Sequence, residues 1–234
     1  MKRGFQIFAG VTLLMGSYGL ARVSTSSESH PPESFAVARV LFEQNATDED
    51  VEVVFEAKGG AEGLAKLTVI SPDGRTVVDF TAPDASTLGI RQFRFESPEP
   101  KDVKGLKAAY PEGVYTFSGA TASGVKYQGK SALNHTLPTT ASFLQPKAEA
   151  EGVALKNLEI TWTPVKNVAA YMIYIEQDEL EVELTARLPG TVAKFAVPEG
   201  FLLPETQYTL GIGTVTEEGN VSFVETWFTT VGKE

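Results

Sequence analysis

From Phe35 onward, apolar and polar residues alternate with the period of two that strands require, and no long helical period appears. Val51, Val53 and Phe55 alternate with Glu52 and Glu56, which predicts a strand over 51–57 with one buried face. A strand over 37–43 precedes it. Leu67 to Ile70 and Thr76 to Phe80 flank Ser71-Pro72-Asp73-Gly74, a hairpin turn in which Pro presets φ and Gly takes the left-handed position. A strand over 90–96 follows, then an irregular connection over 97–110 carrying a short helix at 103–109. Strands over 114–121 and 125–133 pair across Ala122-Ser123-Gly124. Beyond 147, a charged turn over 147–152 leads to a strand in which Leu158, Ile160 and Trp162 face inward. Further strands are predicted over 171–175, 182–188, 195–198, 208–216 and 221–230, the last two joined by Glu217-Glu218-Gly219-Asn220. Each half therefore carries about seven strands, enough for one sandwich.

Two stretches give this pattern its punctuation. Leu203-Pro204-Glu205-Thr206-Gln207-Tyr208 reads as a tyrosine corner, a turn that delivers a Tyr to a strand start so that its hydroxyl caps backbone upstream. Pro111-Glu112-Gly113-Val114-Tyr115 repeats it in shorter form. The two tyrosines stand 93 positions apart, about one sandwich length. Tyr115, Tyr208 and Trp162 are thus expected to be structural residues. The expected organisation is an N-terminal sandwich over 35–138, a linker over 139–147 and a second sandwich over 148–234.

What precedes residue 35 is of another kind. Met1-Lys2-Arg3 is a basic start, Gly4 to Leu20 is apolar, and Gly19-Leu20-Ala21 supplies small residues for cleavage after Ala21. Residues 1–21 read as a signal peptide and 22–34 as a disordered tether that includes His30. The competing reading is an uncleaved anchor, but the apolar run is at the short limit for spanning and holds several glycines. An exported protein, periplasmic or extracellular, with no membrane span after cleavage is the expectation.

Composition narrows the function classes. The 234 residues carry a formal charge of −10, and loss of Lys2 and Arg3 with the leader makes the mature chain more acidic still. Such a surface repels phosphate backbones, so nucleic acid and anionic membranes are poor partners. There is no cysteine, which excludes disulfides, thiolate zinc sites and thiol catalysis.

Residues from about 144 to 231 resemble a fibronectin type III domain. The likeness rests on Trp162 followed by Pro164, on Tyr171, on Leu203-Pro204 with Thr206 and Tyr208, and on Gly219-Asn220 before a strand ending Phe228-Thr229-Thr230. Residues 37 to 138 are similar to an uncharacterised group of exported bacterial proteins that carry a C-terminal domain of this type. Asn45 to Asp50, Ser71 to Arg75, Phe95 to Pro100 and Tyr110 to Phe117 carry that likeness. The implied fold is all-β: two tandem immunoglobulin-like or fibronectin type III-like β-sandwiches after a signal peptide. The resemblance implies no activity.

Candidate chemistry is sparse. Asp48 and Asp50, with Asn45 and Thr47 beside them, offer oxygen ligands of the type calcium takes. They lack the spaced acids, central Gly and terminal Glu of the twelve-residue calcium loop, so a solvated turn is the preferred reading. His135 is the only histidine after residue 30, too few for a zinc site or a histidine-based triad, and reads as structural. No Gly-x-Ser-x-Gly elbow is present. Trp227 is expected in the core. Gly124, Gly129, Gly211 and Gly213 read as bulges or close-packing points in strands. Asn45, Asn134 and Asn220 open Asn-x-Ser/Thr sequons.

The expected function is non-catalytic recognition of a protein or glycan at the cell envelope, through sandwich loops or edge strands, with no cofactor. The alternative is a periplasmic assembly factor or chaperone of two immunoglobulin-like domains. A hydrolase built on paired carboxylates is the third reading, and it predicts an open cleft with two neighbouring acids and exposed aromatics.

Overall fold

The computed structural model describes residues 31–82, 89–98 and 102–232. The stretch read as a signal peptide and most of that read as a tether, His30 included, lie outside the described residues. The first half contains β1 (Glu33–Ser34), β2 (Val37–Asn45), β3 (Asp50–Lys58), β4 (Lys66–Ile70), β5 (Thr76–Thr81), β6 (Gln92–Glu96), α1 (Val103–Ala109), β7 (Gly113–Ala120) and β8 (Lys126–Leu133). The second contains β9 (Phe143–Gln145), β10 (Ala150–Val153), β11 (Glu159–Trp162), β12 (Ala170–Gln177), β13 (Val182–Pro189), β14 (Lys194–Ala196), β15 (Gln207–Val215) and β16 (Val221–Thr230).

Alternation builds both cores. In β3, Val51, Val53, Phe55 and Ala57 point into a cluster with Phe42, Leu67, Tyr115 and Phe117. In the second half Ile160, Trp162, Tyr171, Ile173, Tyr208, Leu210 and Phe228 form a separate cluster. Burying side chains of this size contributes about 1.5–3 kcal/mol each, which is why these positions tolerate little polarity. α1 begins at Asp102, whose carboxylate accepts from the Lys104 and Gly105 amides at 3.0 and 3.1 Å, and buries only Leu106.

Each sandwich has one sheet of its own. These are the five-stranded β1-β8-β7-β4-β5 sheet in the first and the three-stranded β14-β11-β9 sheet in the second. The opposing sheets are not separate. Strands β13-β12-β15-β16 continue directly into β2-β3-β6, with β10 added alongside β16. The join is a short parallel pairing of Val221, Ser222 and Phe223 with Glu43, Gln44 and Asn45. The described residues from Pro32 onward accordingly form one compact unit. In the second sandwich, β14-β11-β9 facing β13-β12-β15-β16 is the immunoglobulin-like/fibronectin type III arrangement, and the described residues are all-β apart from α1 and one short 3₁₀ turn.

Several elements differ from the expectation. Glu33 and Ser34, placed in the tether by composition, pair with Tyr127 and Gln128 as β1. The stretch placed as linker and charged turn contains β9 and β10, because pairing with β11 and β16 overrides its weak local pattern. Trp227 is half-buried on the outward face, since Phe228 beside it occupies the core and successive side chains alternate.

Candidate functional site at the sheet seam

Where the two sandwiches share a sheet, its outward face carries a cleft of about 330 Å³. Inward-facing residues on each strand decide which neighbours point out. Tyr171 and Ile173 in the core put Tyr174 outward on β12; Phe228 inward puts Phe223 and Glu225 outward on β16. Val40 and Phe42 inward put Glu43 and Asn45 outward on β2, and Val51 and Val53 do the same for Asp50 and Glu52 on β3. With Glu96 from β6 these residues line the cleft, five carboxylates among them.

Two glycines make room for its aromatic floor. A Cβ at Gly211 would collide with the Tyr174 ring, and one at Gly213 with the Phe223 ring. The rings from β12 and β16 therefore lie across β15, in T-shaped contact at 5.8 Å. Reaching over Gly211, the Tyr174 hydroxyl donates to Glu225.

Charge is poorly balanced here. Glu43 and Glu52 stand directly opposite each other across β2 and β3. Arg94 is the one cation paired with cleft carboxylates among the described residues, at 2.6 Å from Glu96 and 3.6 Å from Glu43, with Glu56 at 3.2 Å outside the cleft. Burial, and then the fields of Glu96, Asp50 and Glu43, push the Glu52 carboxyl up to about 7. Burial raises Glu43 as well, against the opposing pull of Arg94. The Tyr174 phenol is raised by burial and by its bond to Glu225.

Asp50 lines this cleft, whereas Asp48 lies in the turn before it and accepts from Asn45 Nδ2 at 2.9 Å. Among the described residues no group of three or more His, Cys, Asp or Glu side chains could hold a metal ion. The turn instead clasps the second sandwich: Thr47 Oγ1 accepts from the Glu225 amide at 2.8 Å. His135 is nearly buried, with Nε2 2.9 Å from the Tyr110 carbonyl and its ring on Phe42 at 5.0 Å. Tyr208 accepts from the Leu203 amide at 2.9 Å, and Tyr115 donates to the Pro111 carbonyl at 3.1 Å. Trp162 packs on Tyr171 in the second core. Sequence reasoning did not single out Tyr174, Phe223, Glu225, Glu52 or Arg94 as site residues. The signal available was Gly211 and Gly213 in a strand flanked by aromatic-bearing strands.

No protein-family model matches this chain, and no curated protein matches it. Among solved structures it is similar to the FN1-FN3 domains of chicken CNTN1, at 12% identity over 87% of this chain and 67% of that one, with a TM-score of 0.32. It is also similar to the fibronectin(III)-like modules of Clostridium thermocellum CbhA, at 9% identity over 87% and 93%, TM-score 0.35. A two-domain fibronectin type III segment of chicken tenascin matches at 13% identity over 85% and 99%, TM-score 0.31. Likeness at this level carries no argument about activity; the fold assignment rests on the strand order given above.

Proposed function

We propose that this is an exported, non-catalytic recognition protein that uses the seam cleft to engage a cationic group on a partner protein or glycan at the cell envelope. The observation that carries the reading is that both sandwiches build one cleft. Its lining comes from β2, β3 and β6 on one side and β12 and β16 on the other, across a continuous sheet. A continuous sheet holds such a surface rigid, which lowers the ordering cost of binding. Five carboxylates with one paired arginine favour a positive ligand, and Tyr174 and Phe223 give it an aromatic wall. No helix among the described residues is long and apolar enough to cross a membrane.

One observation favours a second reading. Glu52, pushed up to about 7, stands directly opposite Glu43, a neighbouring carboxyl pair of the kind carboxylate-based hydrolases use.

The test compares the mature protein with Glu225→Gln and Phe223→Ala variants in a pull-down from the envelope fraction of its source, at low and high salt. A partner lost from both variants and at high salt supports the proposal. A partner kept by both places recognition elsewhere. Hydrolysis of a glycoside panel by the unaltered protein, abolished in Glu52→Gln, establishes the second reading instead.

A further inference from the structure

Strand β13 ends the shared sheet: among the described residues it pairs with β12 on one side and with no strand on the other. Its backbone phase can be read from one bond. The Gly190 amide donates to the Ala169 carbonyl at 2.9 Å, and the register pairs Ala170 with Pro189. Alternate residues of an antiparallel strand turn both backbone groups to the same side. Leu188, Ala186, Leu184 and Val182 therefore bond to β12, while Arg187, Thr185 and Glu183 present their N–H and C=O groups to the open edge. Pro189, which has no N–H, falls at an outward position, where proline is tolerated. An open row of such groups is a template for another strand.

The charges on this edge are symmetric about Thr185. Glu183 lies two residues before it and Arg187 two after, both exposed and on the same face. Neither makes an ion pair among the described residues. Within the chain Glu183 faces Glu176, a like charge, and Arg187 faces Met172. Each charge therefore lacks, in its own chain, the partner that a second copy would bring.

We infer that β13 is a self-association edge, at which two copies pair antiparallel about a two-fold axis through Thr185. In that register Thr185 faces Thr185 of the second copy, and Glu183 of each copy faces Arg187 of the other. All of these are hydrogen-bonded pairs, so each exchanges both of its backbone bonds. Two opposite-charge pairs form at once, and the interface is isologous and closed. The shared sheet becomes continuous through the dimer. This inference is independent of what the seam cleft binds.

The experiment is sedimentation equilibrium of the mature protein, run with E183K, R187E, the E183K/R187E exchange and T185P. A concentration-dependent dimer is expected. Either single reversal puts like charges opposite at two positions and weakens it by roughly tenfold or more. The exchange variant restores the pairing, which simple loss of fold would not do. T185P removes an outward N–H that the monomer does not use, so it abolishes dimer while circular dichroism stays unchanged. A protein that stays monomeric at high concentration overturns the inference. So does a dimer that ignores E183K, R187E and T185P.

Discussion

Asn220 Oδ1 accepts the backbone amide of Phe42 at 2.8 Å, joining the last strand pair of the second sandwich to the first strand pair of the other. Asn220 is 2% exposed. Its Nδ2 reaches the Asn134 and Thr136 carbonyls at 3.0 and 2.9 Å. One amide thus satisfies both sandwiches and the segment between them, at the point where the sheet crosses from one to the other. A buried group so placed is not available as a glycan acceptor, whatever its sequon.

Asn220→Ala strands the buried Phe42 N–H and takes a donor from the part-buried Asn134 and Thr136 carbonyls. The expected loss is about 2–4 kcal/mol of unfolding free energy. Urea denaturation checks it. Where the unaltered protein unfolds in one transition, the variant is expected to show two, as the halves uncouple.

Glu52 makes stability depend on pH. Its folded carboxyl titrates at about 7, above the ordinary value of 4.5, so the folded state binds the proton more tightly than the unfolded chain does. That contribution is fully present below about 4.5 and is lost as pH rises through about 7. The melting temperature should therefore fall between pH 5 and pH 8 by more in the unaltered protein than in Glu52→Gln. Equal slopes in the two proteins would contradict the assignment. The raised Glu43 acts in the same direction and leaves a residual slope in the variant.

Gly211 is the floor under Tyr174. A methyl group there collides with the ring, so Gly211→Ala is expected to expel Tyr174 and break its bond to Glu225, at a cost of about 1–3 kcal/mol. Tyr174→Phe keeps the ring and loses only the hydroxyl, at about 1 kcal/mol. Thermal denaturation should therefore rank Gly211→Ala below Tyr174→Phe. The reverse order would mean that the hydroxyl, not the ring's seat, is what matters.

Tyr208→Phe leaves the Leu203 amide without its acceptor. Tyr115→Phe removes a donor from the Pro111 carbonyl, a weaker loss because a carbonyl at a turn is more easily reached by water. Expected costs are about 1–2 kcal/mol and about 1 kcal/mol respectively, measured as shifts in denaturation midpoint.

Much of the architecture could be read from local pattern. The Val51/Val53/Phe55 alternation, the Ser71-Pro72-Asp73-Gly74 turn and the helix at 103–109 depend on neighbours within a few residues, and the structure places β3, the β4–β5 hairpin and α1 there. The strands β9 and β10 were missed for the opposite reason. Three or four residues carry too short an alternation to register, and their partners in β11 and β16 supply most of the preference.

The cleft was not legible as a site. Its acids belong to strands that alternation identifies one by one, and each Glu in isolation reads as an ordinary solvated position. What brings Glu43, Glu52 and Glu96 into one cleft with Tyr174 and Glu225 is the three-residue parallel pairing of β16 with β2. Nothing in the composition of Val221 to Phe223 or Glu43 to Asn45 announces it.

By itself, then, the sequence determined an acidic, cysteine-free chain of two strand-rich halves, each with its own tyrosine turn and apolar stripe. Those properties follow from side-chain period and turn chemistry, which act over a few residues. Only the tertiary structure decided that the halves share one sheet, that Asn220 is buried at their junction, and that like charges face each other there. Contacts between residues some 178 positions apart, as in Phe42 and Asn220, leave no periodic trace in either segment. Their energy comes from backbone groups that every residue carries.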